Sequence, residues 1–267
     1  ECLRCNFCET RTFPCAYIDN GNIDMSGNNL IWILYETGHL FISGIGAMPD
    51  YKVNKYAPWY PYRDQITSVV VEEGVTSIGD LAFYKCNNIT DIQLPDSVER
   101  IGKYAFNGCD SIVSMYIPSS VKTIDAKAFH SCNGLVEFVV SEDNQYFTSF
   151  DGVLFDKNVE ELIKFPLAKE VTEYFAPDSI KSIGADSFNG CMYLTKISFY
   201  ADTIKENAFY GCENLPSIKM PETVTSIGHY AFSGCKALSY INASEKTMEG
   251  IFRFCSTKMK ISLCYGY

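Results

Sequence analysis

"VTSIGDLAFYKC" occupies Val75 to Cys86, and its core, Ile-x-x-x-Ala-Phe-x-x-Cys, returns along the chain. Phe83/Cys86, Phe106/Cys109 and Phe129/Cys132 stand 23 residues apart. Phe188/Cys191, Phe209/Cys212 and Phe232/Cys235 follow at spacings of 59, 21 and 23, and Phe252/Cys255 is a last, eroded copy. The spacing of 59 is one period of 23 plus 36 inserted residues. A unit this short cannot bury its own apolar face, so neighbouring copies must stack into a continuous core.

The full unit reads Val-x-x-Ile-Gly-x-x-Ala-Phe-x-Gly-Cys-x-x-Leu-x-x-Ile-x-Leu-Pro-x-x. A period in this range with Leu and Ile at fixed offsets predicts a leucine-rich-repeat solenoid. The Leu-x-x-Ile-x-Leu part alternates at period two and predicts a short strand in each copy. These strands are Ile66–Val71, Ile89–Leu94, Ile112–Ile117, Leu135–Val140, Leu194–Phe199, Leu215–Met220, Leu238–Ala243 and Lys258–Leu263. Pro95, Pro118, Pro177 and Pro221 close the strand, because proline cannot donate to a ladder. Ile-Gly-x-x-Ala-Phe suits a short helical or 3-10 turn, with Gly108, Gly190, Gly211 and Gly234 in a left-handed cap. Lys85 and Ser131 stand in that column, so glycine is preferred there without being obligatory. The expectation is a right-handed α/β-type coil with one parallel sheet face and short helical turns on the opposite side.

Three parts follow from these patterns: a Cys-rich segment over 1–28, a small β N-terminal cap over 29–65, and the solenoid over 66–267. In the cap, Asn29 to Gly44 reads as two alternating strands around Glu36-Thr37-Gly38. Residues 46–65 form an aromatic- and proline-rich crossing segment that would cover the first rung. The insertion is read as an expanded rung over 141–179. Asp151-Gly152 lies between apolar stretches, a hairpin signal. "YFAPDSI" (Tyr174 to Ile180) aligns with "IQLPDSV" (Ile92 to Val98) and repeats the strand-to-proline corner.

From about Asn29 onward the chain resembles the BspA-like leucine-rich-repeat family, on the strength of Ile-Gly-x-x-Ala-Phe-x-x-Cys-x-x-Leu-x-x-Ile-x-Leu-Pro repeated at 23 residues. The leader "GHLFISGIGAMPDY" with "APWYPYRDQITSVVVEEGVTSIG" is also similar to segments that precede such repeats. The resemblance implies a secreted or cell-surface protein that binds host matrix or cell-surface proteins, or other microbial surface proteins, in adhesion. It carries no catalytic motif and no fixed set of ligand residues.

Composition narrows the alternatives. Acidic residues number 32 and basic ones 22, a net charge of −10, and there is no basic run. Such a surface repels nucleic acid and anionic membranes. No apolar run approaches the ~18 residues of a membrane span. Histidines are three, His39, His130 and His229, and the last two fall in variable loop columns that predict solvent exposure. No nucleophile elbow, phosphate loop or zinc-protease motif is present, so neither enzyme nor cofactor is expected.

Twelve cysteines divide into two classes. Cys86, Cys109, Cys132, Cys191, Cys212 and Cys235 share one column beside inward-facing Phe, which predicts buried and inert thiols. Cys2, Cys5, Cys8 and Cys15 are spaced C-x2-C-x2-C-x6-C, which suits disulfides, unpaired thiols or a metal, and a metal or redox role is the weakest functional alternative. A structural spacer or targeting segment of a larger surface protein is another.

The strand face is the main candidate for binding. Residues flanking the central Ile point outward by the period-two rule. They include Asp91, Gln93, Ser114, Tyr116, Glu137, Lys196, Lys219 and Tyr240. Tyr116 and Tyr240 are the aromatic members, the type enriched at binding hot spots.

Overall fold

The computed structural model describes residues 16–23, 29–243 and 260–263, the last four and 242–243 as backbone. The N-terminal cysteine cluster and the Phe252/Cys255 copy lie outside the described residues.

The repeat builds a β-solenoid, and each regular rung contributes two short strands. The first set comprises Ser68–Val71, Asp91–Gln93, Ser114–Ile117, Glu137–Val140, Glu173–Phe175, Lys196–Ser198, Ser217–Lys219, Tyr240–Ala243 and Lys260–Leu263. These are the Leu-x-x-Ile-x-Leu segments, and they pair in parallel in several separate groups, for example Ser114↔Glu137 and Tyr116↔Val139. The second set was not anticipated. Val75–Ile78, Arg100–Ile101 and Thr123–Ile124 form one parallel run, and Glu161–Lys164, Ser182–Ile183, Thr203–Ile204 and Ser226–Ile227 form another. The single sheet face is therefore corrected to two. The quoted stretch explains why: in Val-Thr-Ser-Ile, Val75, Ser77 and Ile78 are buried while Thr76 is exposed, so these residues also follow a strand before the Gly.

The helical turns expected opposite the sheet are replaced by repeated tight turns. Among the described residues the only helix is the 3-10 turn Tyr60–Tyr62 in the cap. Leu81, Tyr104, Asp186, Asn207 and Tyr230 adopt positive φ at 53–57°, which breaks the helical path. Gly108, Gly190, Gly211 and Gly234 are left-handed as expected, and Lys85 and Ser131 adopt the same conformation. The two left-handed positions turn alternate amides along the solenoid axis. The amides of Leu81, Phe83 and Lys85 donate to the carbonyls of Lys103, Ala105 and Asn107 in the next rung at 2.8–2.9 Å. Hydrogen bonding between rungs thus takes the place of bonding within a helix.

Inside, the Phe column stacks. Trp59, Phe83, Phe106 and Phe129 follow one another at centroid distances of 5.4–5.8 Å. Phe165, Phe188, Phe209 and Phe232 repeat the pattern at 5.0–5.4 Å. Trp59 belongs to the cap and its indole N–H donates to the Ala82 carbonyl at 2.9 Å, which joins the cap to the first regular rung. Ile31–Tyr35 and His39–Ser43 pair antiparallel as expected, and Tyr17–Asn22 adds a strand on their outer edge.

The insertion begins with the expected hairpin. Phe147–Phe150 pairs antiparallel with Val153–Asp156 around Asp151-Gly152, both at positive φ (49° and 71°), as a two-residue turn with the strand twist requires. A Cβ on Gly152 would lie 2.9 Å from the Glu137 Cβ, so the turn packs on that strand only because it is glycine. Glu161–Lys164 then pairs in parallel with Ser182–Ile183 and restarts the second sheet.

Candidate functional site

All eight residues expected on the strand face are exposed, and the residues between them are buried: Ile92, Met115, Phe138, Ile197, Ile218 and Ile241. The register places them in two lines across the strands. Ser68 stands opposite Asp91, Ser114 opposite Glu137, and Glu173 opposite Lys196. In the other line Val70 stands opposite Gln93, Tyr116 opposite Val139, and Phe175 opposite Ser198.

Near the hairpin the face becomes apolar. Val113 is 57% exposed, Tyr116 47%, Val136 39%, Val139 42%, Phe150 67% and Phe175 64%. The Phe138 amide donates to the Gly152 carbonyl at 2.8 Å, and Lys169 Nζ lies 3.2 Å from Asp151 Oδ1. The hairpin tip therefore packs beside the strand Glu137–Val140. Contiguous exposed apolar side chains of this kind mark interaction sites. The sequence reading left out Phe150 and Phe175. Phe175 was within reach, since aligning "YFAPDSI" with "IQLPDSV" places it in the Gln93 column.

The charges on the face are not evenly spread. Asp91 lies on the N-terminal side of the apolar zone, where it accepts a hydrogen bond from Gln93 at 3.2 Å, and Glu137 lies within the zone. Lys196 and Lys219 lie on the C-terminal side. Lys196 bonds Glu173 at 2.8 Å and holds its ammonium 5.5 Å from the Phe175 ring centroid.

The column cysteines lie inside, away from this face, and all six are buried and free. Four of them have more than an apolar role. Cys109, Cys132, Cys212 and Cys235 donate S–H bonds at 3.0–3.2 Å to the carbonyls of Phe83, Phe106, Phe188 and Phe209 in the preceding rung. Burial pushes the thiols of Cys86, Cys132 and Cys191 up to about 12, so they stay protonated at neutral pH and are poor nucleophiles.

A second polar cluster lies buried beside the insertion. Lys164 and Ser187 stand in the column that holds Ala82, Ala105, Ala128, Ala208 and Ala231 elsewhere. Lys164 Nζ donates to the Asp186 carbonyl at 2.8 Å, and Lys127 Nζ lies 3.7 Å from Asp186 Oδ2. Burial lowers the Lys164 ammonium below its usual range. The expectation that His130 faces solvent is corrected: it is half-buried, its Nδ1 is enclosed, and it meets the Tyr104 ring edge-on at 5.8 Å. Burial lowers its pKa, and the Lys164 charge adds to this. His229 is exposed as expected. Among the described residues no helix is long and apolar enough to cross a membrane.

A model of the BspA type leucine rich repeat region matches residues 59–174 and 164–263, in six copies. Among solved structures, a leucine-rich repeat protein from Eubacterium ventriosum is 30% identical, with 85% of this chain and 73% of that chain covered and a TM-score of 0.58. A leucine rich cell surface protein from Faecalibacterium prausnitzii shares the fold at 20% identity, with 93% and 96% covered and a TM-score of 0.58. The pneumococcal vaccine antigen PcpA does so at 18%, with 92% and 99% covered and a TM-score of 0.52. No curated protein matches the chain. Two parallel strands per rung, an inner Phe stack and a cysteine that bonds the rung before it are the physical content of the matched repeat, and the chain belongs to the BspA-type leucine-rich-repeat family.

Proposed function

We propose that this protein is a non-catalytic binding module, secreted or displayed at a cell surface, that attaches to other proteins through its strand face in adhesion. The observation that carries the reading is the exposed apolar zone Val113, Tyr116, Val136, Val139, Phe150 and Phe175 on an otherwise polar, rung-built face. Burying these side chains against a partner supplies the driving force, and Asp91, Gln93, Ser114, Glu137, Lys196, Lys219 and Tyr240 set orientation around them. Repeat solenoids present such extended faces for binding, and one structural relative is described as a cell surface protein. The expanded rung sets its hairpin tip beside the strand Glu137–Val140, at the edge of this zone. The test is capture of host extracellular-matrix proteins by the full chain. A Tyr116→Ala/Tyr240→Ala double variant should lose capture about tenfold or more. Capture unchanged in that variant would remove the face from consideration.

A further inference from the structure

Three columns follow the solenoid axis on the strand side, each with one position per rung. The line through Val70, Gln93, Tyr116, Val139 and Phe175 is the apolar one. Two residues before it in each strand stand Ser68, Asp91, Ser114, Glu137 and Glu173. Three residues after it, at the corner that ends the strand, stand Glu73, Asp96, Ser119, Glu142 and Asp178. None of the three columns holds a lysine or arginine over this stretch, and their first cation is Lys196. Neighbouring corner residues touch: the Asp96 amide donates to the Glu73 carboxylate at 3.0 Å, and the Ser119 hydroxyl donates to Asp96 at 2.9 Å.

The flanking carboxylates lack counter-charges. Glu73, Asp91, Asp96, Glu137, Glu142 and Asp178 are exposed and form no ion pair among the described residues. Glu173 is the exception, bonded to Lys196 at 2.8 Å. Lys157 directs its ammonium to the backbone carbonyls of Glu142 and Asn144. An apolar strip between two acidic lines favours one kind of occupant. Its own apolar side chains must cover Tyr116, Val139 and Phe175, and its edges must carry positive charge. The net charge of −10 adds a longer-range attraction for cations and repels nucleic acid.

We infer that the partner of this face is a basic amphipathic segment of another protein, laid along the solenoid axis. Its apolar residues cover the Tyr116–Val139–Phe175 line, and its lysines or arginines meet the carboxylates on either side. The inference rests on the reading of the strand face as the interaction surface, and it names the chemistry of the occupant. A wholly apolar partner would desolvate the carboxylates without pairing them. A wholly charged one would leave the apolar line in water. Because part of the attraction acts between exposed charges, binding weakens as salt rises.

Calorimetric titration of the full chain with synthetic peptides of equal length tests the proposal. The probes are an amphipathic helix of lysine and leucine, its glutamate–leucine counterpart, and a lysine–serine peptide of the same charge. The lysine–leucine peptide should bind, the lysine–serine peptide about tenfold or more weaker, and the glutamate–leucine peptide not at all. Asp96→Lys and Glu137→Lys should each weaken the lysine–leucine complex about tenfold or more, and Phe175→Ser, at an exposed site, by a similar factor. Glu206→Lys makes the same change in net charge at an exposed site outside the three columns and should have little effect. No binding of the lysine–leucine peptide overturns the proposal, as does equal binding of either control peptide or an equal loss in Glu206→Lys. Matrix capture that is lost in Tyr116→Ala/Tyr240→Ala but survives Asp96→Lys and Glu137→Lys overturns it while leaving the face as a binding site. Peptide binding that follows the expected order, with no capture of matrix proteins, supports the proposal and removes the matrix as the partner's source.

Discussion

The regular rungs and the expanded rung solve the same packing problem in different ways. In the regular rungs many buried polar groups find their partners in the neighbouring rung. Turn amides bond turn carbonyls, thiols bond Phe carbonyls, and Phe rings stack on Phe rings. The expanded rung removes those neighbours. The buried apolar residues divide there into two clusters, one ending with Leu154 and the other starting with Val153 and Phe155. The second sheet stops at Thr123–Ile124 and restarts at Glu161–Lys164. Three of the four buried side-chain polar atoms without a hydrogen-bond partner, among the described residues, are near this break: His130 Nδ1, Asp186 Oδ2 and Ser187 Oγ.

The insertion supplies substitutes from its own residues. Asn144 is fully buried, and its amide donates to the carbonyls of Pro118 and Val121 at 2.7 and 3.0 Å. Its side-chain oxygen accepts from the amides of Tyr146 and Phe147 at 2.8 Å each. One side chain thus closes the preceding corner and starts the hairpin. Lys164 fills a place made for alanine and reaches a carbonyl with its ammonium. A repeat satisfies its polar groups through likeness, whereas an interruption needs specific residues at specific points.

Three substitutions sharpen this contrast. The largest effect is expected within the regular stack. Phe188→Ala removes a ring packed between Phe165 and Phe209 and should cost about 3–5 kcal/mol, read from urea unfolding. A much smaller loss would mean that the stack can collapse around the gap. Next comes the substitute residue: Asn144→Ala removes four hydrogen bonds to backbone groups and should cost about 2–3 kcal/mol. If Asn144→Ala unfolds no more easily than wild type, the corner is held by other contacts. The smallest effect at neutral pH is expected for Lys164→Met. Volume is conserved and a desolvated charge is removed, so stability should change by less than about 1.5 kcal/mol.

The pH dependence of that last variant is its clearer readout. The ammonium's folded pKa lies below its ordinary value of 10.5, so the folded state gives up its proton before the unfolded one does. The associated stability is complete above 10.5 and is lost as pH falls through the lowered folded value. Wild-type unfolding curves should therefore show stability rising with pH in that window, relative to Lys164→Met. Parallel pH profiles for the two proteins would show that the ammonium is not desolvated.

Much of the face was legible from local pattern. Period-two alternation placed Asp91, Gln93, Ser114, Tyr116, Glu137, Lys196, Lys219 and Tyr240 outward, and each is exposed. The column phase placed the six cysteines inward, and each is buried. The Asp151-Gly152 hairpin was legible because a two-residue turn has a local chemistry of its own. The second sheet was not legible, because two-residue strands such as Arg100–Ile101 are too short to show a period and exist only through pairing with the next rung. Phe150 was missed because the hairpin's place beside Glu137–Val140 depends on the Gly152–Phe138 contact, which no local pattern announces.

Period, inward columns, outward columns and family were determined by the sequence alone, since each depends on which way a side chain points relative to its near neighbours. Left-handed turns that bond rung to rung, the buried Lys164–Asp186 cluster and the meeting of an apolar centre with unlike charged ends were decided by the tertiary structure. Those features depend on residues 20 or more positions apart being brought within hydrogen-bond or contact distance, and stacking supplies that proximity.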